Sequence, residues 1–229
     1  MSLTCKLLTE RFSVALSSLS GAGFRYYRSF QHFRRTDPNG FSYISINSIT
    51  HNHVDYHLDF LAGVRNDPLE STIKQVLQSS PKLTHFDRSL LIWTAHIGPN
   101  SPNWDHPVAG TWLFRTETDV ERYVEEVIRF VESLILPFLN RNTTSASIRQ
   151  TLLELQLHAQ NQRPYQQILA ADILAPNTTQ FEADYSLLSE RYIKQHPPLK
   201  AEFNDFCLNA KSLLKIRNAR THSSLICDA

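Results

Sequence analysis

The chain is short of the residues that make an active site readable. Six glycines in 229 residues leave no glycine-rich turn to cradle a phosphate, which needs crowded backbone N–H groups unhindered by a Cβ. Nor does a Gly-x-Ser-x-Gly nucleophile elbow occur. Cys5, Cys207 and Cys227 are odd in number, far apart and without a Cys-x-x-Cys pair, so neither a disulfide framework nor a zinc knuckle is predicted. Cys207 falls within an apolar helical pattern and reads as a packed small side chain, not a nucleophile. No apolar run reaches the roughly 18 residues that would span a bilayer. Lys6, Glu10 and Arg11 interrupt the first twenty residues, where a signal peptide needs a continuous apolar core. A charge of one sign is missing as well, since 23 Lys+Arg face 22 Asp+Glu. Nothing global therefore attracts nucleic acid or an anionic membrane. The expectation is a soluble cytoplasmic protein with no cofactor, no membrane partner and nucleic acid an unlikely one; oligomeric state is left open.

Hydrophobic residues, at 41%, suffice for a sizeable core. Leu3, Leu7, Leu8, Val14, Ala15 and Leu19 share a helical face that stops at Gly21-Ala22-Gly23. Phe24 to Phe33 reads as a strand, Asp37-Pro38-Asn39-Gly40 as a turn and Phe41 to Ile49 as the returning strand of a hairpin. A third strand, Val54 to Val64, runs into a helix with Asp67 as N-cap, Pro68 at its first position and Glu70 completing a capping-box pattern. Further strands are expected at Ser89 to Ile97 and Gly110 to Arg115. A long helix, Asp119 to Leu136, is capped by Thr118 with Glu121 and repeats Val120, Tyr123, Val124, Val127 and Val131 at helical spacing. Helices over 145–160, 164–174, 179–195 and 199–217 follow, broken at Pro164, Pro176 and Pro197-Pro198.

Strands first and helices afterwards predict an α+β fold. Its antiparallel β-sheet of about five strands is packed by the N-terminal and the long central helix, and an all-helical C-terminal segment follows. The expected divisions are a sheet domain over 1–142, a helical subdomain over 143–218 and a flexible tail over 219–229. Phe181, Tyr185, Leu188 and Tyr192 should face Phe203, Phe206, Ala210 and Leu213 in a helical hairpin.

The most informative stretch is His51 to Phe60, where His53, Asp55, His57 and Asp59 alternate with Val54, Tyr56, Leu58 and Phe60. In a strand the first set shares one face and the second set the other. Imidazole and carboxylate together suit a transition metal. Four residues along one strand face stretch over about 20 Å, however, so only two neighbours could share an ion. His53 and His57 are the weak metal candidates, with a third ligand drawn from His32, His96 or His106. A solvated or partner-binding face is the alternative reading.

Phe24 to Arg35 mixes arginines with aromatics, the ingredients of a base-stacking surface, although counting along it puts the arginines on both parities. Trp93 and His96, with Trp104 and His106, flank a Gly/Pro-rich loop at one end of the sheet and could form a ligand pocket or a protein hot spot. Loop packing is the plainer reading. Glu117, Asp119, Glu121, Glu125, Glu126 and Glu132 give the long helix an acidic face, which solvates it and would suit a basic partner.

The succession Ala22-Gly23-Phe24, a Tyr-Ile-Ser-Ile strand, and Phe60-Leu61-Ala62-Gly63-Val64-Arg65 leading through Pro68-Leu69-Glu70 into a helix resembles small bacterial proteins of unknown function. Some of these look like immunity proteins that accompany toxins. The resemblance covers about residues 3 to 140 and brings no catalytic residue with it. It implies a non-enzymatic binding protein, an immunity-type inhibitor that occludes a protein partner. The candidate partner-binding residues are His53, Asp55, His57, Asp59, Trp93, His96, Trp104 and His106. A metal-dependent enzyme using the histidines of the 51–59 strand is the alternative.

Overall fold

The structure is a computed structural model that describes residues 3–51, 55–78, 90–93, 112–155 and 163–227. The chain forms two compact units, divided after Arg65 and again after Thr143. An antiparallel sheet and helices make the fold α+β, as the order of elements predicts.

The first unit begins with α1 (Cys5–Ala15), capped by the Thr4 hydroxyl, which accepts the Leu7 N–H at 3.1 Å. A 3-10 segment, Leu16–Ala22, ends at Gly23 with φ 82°, where a left-handed residue without a Cβ turns the chain into the sheet. The strands are β1 (Arg25–Tyr27), β2 (His32–Asp37), β3 (Gly40–His51), β4 (Asp55–Asn66), β5 (Leu90–Trp93) and β6 (Leu113–Phe114). They lie in the order β1-β2-β3-β4-β5, with β6 also paired to β4.

The strand expected over 24–33 is two strands. Arg28–Phe30 form a 3-10 turn and Gln31 takes a left-handed conformation, φ 50°, so the chain reverses before β2 begins. Arg25 then pairs with Arg34, Tyr26 with Phe33 and Tyr27 with His32. Asp37 pairs with Gly40, so Pro38-Asn39 is a two-residue turn.

Alternate residues of β3 and β4 build the core. Ile44, Ile46, Leu58, Phe60, Ala62 and Val64 are buried, with Leu8, Phe12 and Leu16 among the buried residues of the same unit. The Thr9 hydroxyl, 2.9 Å from that of Ser48, marks α1 as lying over this face. Phe60 meets Trp112 edge-on with ring centres 6.0 Å apart, and Trp112 meets Phe130 at 5.0 Å. The Trp112 indole donates to Glu126 at 3.0 Å, which satisfies its polar atom at the core margin.

The long helix α3 (Glu117–Phe130) starts two residues earlier than expected. Thr116 and Asp119 form the capping box in place of Thr118 and Glu121. Asp119 accepts the backbone N–H groups of Arg115 and Thr116, each at 2.9 Å, and these bonds hold its carboxyl below the usual range. The helix widens into a π segment, Val131–Ile135, where the Leu136 N–H reaches back to the Val131 carbonyl. It continues as α4 (Leu136–Arg141), whose Pro137 has no N–H to offer the preceding turn.

The second unit comprises α2 (Asp67–Leu77), α5 (Ser145–Glu154), α6 (Pro164–Leu174), α7 (Thr178–Leu187) and α8 (Lys200–Cys227). The helix at 67–77 therefore groups with the helical residues, while the reading from sequence placed it with the sheet. Its apolar face, Leu69, Ile73, Val76 and Leu77, is buried, and it packs against α6 and α8. Asn66, not Asp67, is its N-cap, with the Asn66 side chain accepting the Leu69 N–H at 3.1 Å. Asn is the stronger cap where its amide oxygen already faces the N3 donor.

Helix α6 is the axis of this unit, with every residue from Pro164 to Ile173 buried. Tyr185 of α7 stacks on Phe203 of α8 at 5.5 Å, and Tyr165 of α6 fills the space against Phe203 and Phe206. The expected frayed tail is helical as far as Cys227, because no glycine or proline after Pro198 interrupts α8. Burial pushes the Cys207 thiol up to about 12, as befits a packed side chain.

Candidate functional site: the second face of the sheet

Pairing and pleat divide the sheet unit into two chemistries. The residues of β3 and β4 in phase with Ile44 and Phe60 face the core. Those in phase with Tyr43 and Leu61, which pack together, face the other way. On that second face lie Arg25 and Tyr27 of β1, and His32, Arg34 and Thr36 of β2. Phe41, Tyr43, Ser45 and Ile49 of β3 share it with Asp55, His57, Asp59, Leu61, Gly63 and Arg65 of β4. Gly63 is required there, since a Cβ would meet the Tyr43 ring at 2.4 Å.

The aromatic rings are connected. Phe30 stacks on His32 at 5.4 Å with planes 15° apart, Tyr27 lies 5.7 Å from His32, and His32 lies 6.0 Å from Tyr43. Arg34 places its guanidinium 3.7 Å above the Phe41 ring, and Arg65 approaches the same ring at 5.8 Å. Phe30 is 68% exposed, Tyr27 42% and Ile49 41%. Burial first, and then the nearby Arg34, hold the His32 imidazole below its ordinary pKa, so that it is neutral near pH 7 and acts here as a flat ring.

Arg25 and Arg34 are cross-strand partners, and both are exposed. Like charges directly opposite one another destabilise a sheet. Among the described residues neither makes an ion pair, whereas Arg35, on the core side, is held by Asp37 at 2.9 Å and by Asn140 at 2.7 Å.

Of the residues expected to bind a partner, Asp55, His57 and Asp59 share this face on β4. Asp55 accepts from Arg115 Nε at 2.7 Å, and His57 pairs across the sheet with Leu113. Trp93 ends β5 opposite Leu61. His53, His96, Trp104 and His106 lie outside the described residues, and with them the His53/His57 metal pair. Among the described residues no group of three or more His, Cys, Asp and Glu side chains is placed to hold a metal ion. The His32 ring is enclosed by Phe30, Tyr27 and Tyr43.

The acidic helix face has particular structural tasks. Glu126 takes the Trp112 indole, Asp119 caps α3 and Glu117 lies 3.6 Å from Arg11. What counting along the strand misses is the shared face of Arg25 and Arg34. Nine residues apart, they fall on opposite parities of a continuous strand, and only the turn at 28–31 brings them level. No glycine or proline announces that turn; a Ser-x-Gln segment between two aromatic stretches is its one visible mark.

Compared with protein-family models, curated proteins and solved structures, the chain matches none of them. Among the described residues no helix is long and apolar enough to cross a membrane.

Proposed function

We propose that this chain is a non-enzymatic binding protein that holds its partner on the exposed β1–β2 end of this sheet face and acts by covering the surface it contacts. The observation that carries this reading is the cluster at the β1–β2 end of this face, where the exposed rings of Phe30 and Tyr27 lie against His32 and run on to the buried Tyr43. It is fixed to a hydrogen-bonded sheet whose other face is packed, and it carries arginines between its rings. A preformed surface of this kind binds with little loss of side-chain freedom, and aromatic and arginine anchors concentrate contact energy. A protein held there would be occluded, the action that the likeness to immunity proteins implies.

The test is affinity capture from lysate with the intact chain and with Phe30→Ala. The variant removes an exposed ring and leaves the core untouched, so folding measured by circular dichroism should be unchanged. A ligand retained by the intact chain should be lost or reduced about tenfold with the variant. Equal retention by both would reject this face as the binding surface.

A further inference from the structure

Resting on the reading of this face as the binding surface, we propose that its β1–β2–β3 half binds single-stranded nucleic acid. Bases would stack on Phe30 and Tyr27, and the backbone would pass over Arg25 and Arg34. The near-neutral charge of the whole chain argues against such a partner, but the cation density is local. The turn at 28–31 sets Arg25 opposite Arg34 on an exposed surface, where the repulsion between them is relieved by an anion. The Arg34 guanidinium lies 3.7 Å over the Phe41 ring and the residue is exposed, leaving its outer side for a phosphate or a base.

Phe30 continues the His32 stack outward with its other side open, which is what a base needs and a charged side chain does not. The three strands span only about 10 Å at roughly 4.8 Å per strand, room for two or three nucleotides. Asp55 and Asp59 on β4 bound the patch on the same face and would repel a strand that ran further. Duplex is excluded by the same geometry, because its bases are stacked on one another and not available to Phe30.

The experiment is fluorescence anisotropy with labelled oligouridylate and oligodeoxythymidylate of about twelve nucleotides, using the full chain at about 50 mM salt and again at about 200 mM. The expected result is saturable binding below about 100 µM that weakens with salt at a logarithmic slope of about −1.4, as two phosphates require. Phe30→Ala should weaken binding about tenfold.

Arg25→Gln combined with Arg34→Gln should abolish the salt dependence, while melting about 1–3 °C higher because the repulsion is gone. A control that changes charge elsewhere by the same amount, Lys194→Gln with Lys215→Gln, should bind as the parent does. No binding at low salt, or binding equally lost in the control, overturns the inference. Loss of a captured protein with the same arginine variant, without oligonucleotide binding, overturns the nucleic acid and leaves the binding face standing. Failure of both rejects the face itself.

Discussion

The two units handle charge in opposite ways. The sheet unit keeps its arginines on or near the surface and leaves the rings of Tyr27 and Phe30 exposed. The helical unit buries ions around α6. There Arg149 Nε is 3.0 Å from Asp172 and 2.7 Å from Asp184, and both aspartates are 3% exposed. Gln180 also donates to Asp184, at 3.0 Å. Across the same unit Arg163 and Tyr165 both donate to Glu202, the tyrosine at 2.6 Å. Arg217 reaches the Ile173 carbonyl, Thr72 and Gln75, each at 3.3 Å, which ties α8 to α6 and α2. Buried ion pairs are weak sources of net stability but costly to break singly, so they fix one arrangement of helices against others. The contrast separates a unit whose arginines lie on or near the surface from one whose ions are buried and paired.

The largest effect should come from removing the shared cation. Arg149→Ala leaves two buried carboxylates facing each other, and the helical unit should lose about 3–5 kcal/mol. Hydrogen exchange resolved by segment tests this. Protection should fall across α5, α6 and α7 and persist in β2 to β4. Equal loss in both units would erase the contrast.

Next in size is a pH effect. Burial, and then the charge of Asp184, push the Asp172 carboxyl up to about 7. A carboxyl whose pKa is raised on folding binds more protons in the folded chain than in the unfolded one between about pH 4 and 7. Stability must therefore fall as pH rises through that window. Asp172→Asn keeps an acceptor for Arg149 and removes the titration. It should flatten the slope and raise stability at pH 8 by about 2 kcal/mol, read by denaturant unfolding at pH 5 and pH 8. A slope unchanged by the substitution would place the titration elsewhere.

The smallest of the three probes the sheet. Gly63→Ala sets a methyl against the Tyr43 ring and should cost about 1–3 kcal/mol. Its loss of protection should centre on β3 and β4, with α6 unchanged. This is the mirror image of the arginine substitution.

Much of the architecture is legible along the chain because periodicity and stop signals are local. Gly23 ends the first helical stretch, Pro38-Asn39 makes the hairpin, and the apolar repeat of α3 is visible without a structure. Cap positions slip by one or two residues where two capping residues adjoin, as with Asn66 beside Asp67 and Thr116 beside Thr118. The choice there depends on which side chain meets the N3 donor.

The candidate site is less legible. Asp55, His57 and Asp59 share a face as their alternation predicts, but the ring system on β1 and β2 depends on a left-handed Gln31 that no turn residue marks. The buried ions are also hidden from sequence. Arg149, Asp172 and Asp184 sit on three different helices, and each alone reads as a surface charge.

The three-residue length of β1 bears on how this protein behaves when crowded with copies of itself. An open, ring-bearing sheet with a long straight border would invite another chain to add as the next strand. Here the border strand ends after Tyr27, and the 3-10 turn at 28–30 takes the next residues out of line for pairing. Arg25 places a cation on the remainder. A growing stack of sheets has nowhere to start on that side, so the molecule can expose its rings without polymerising through that border.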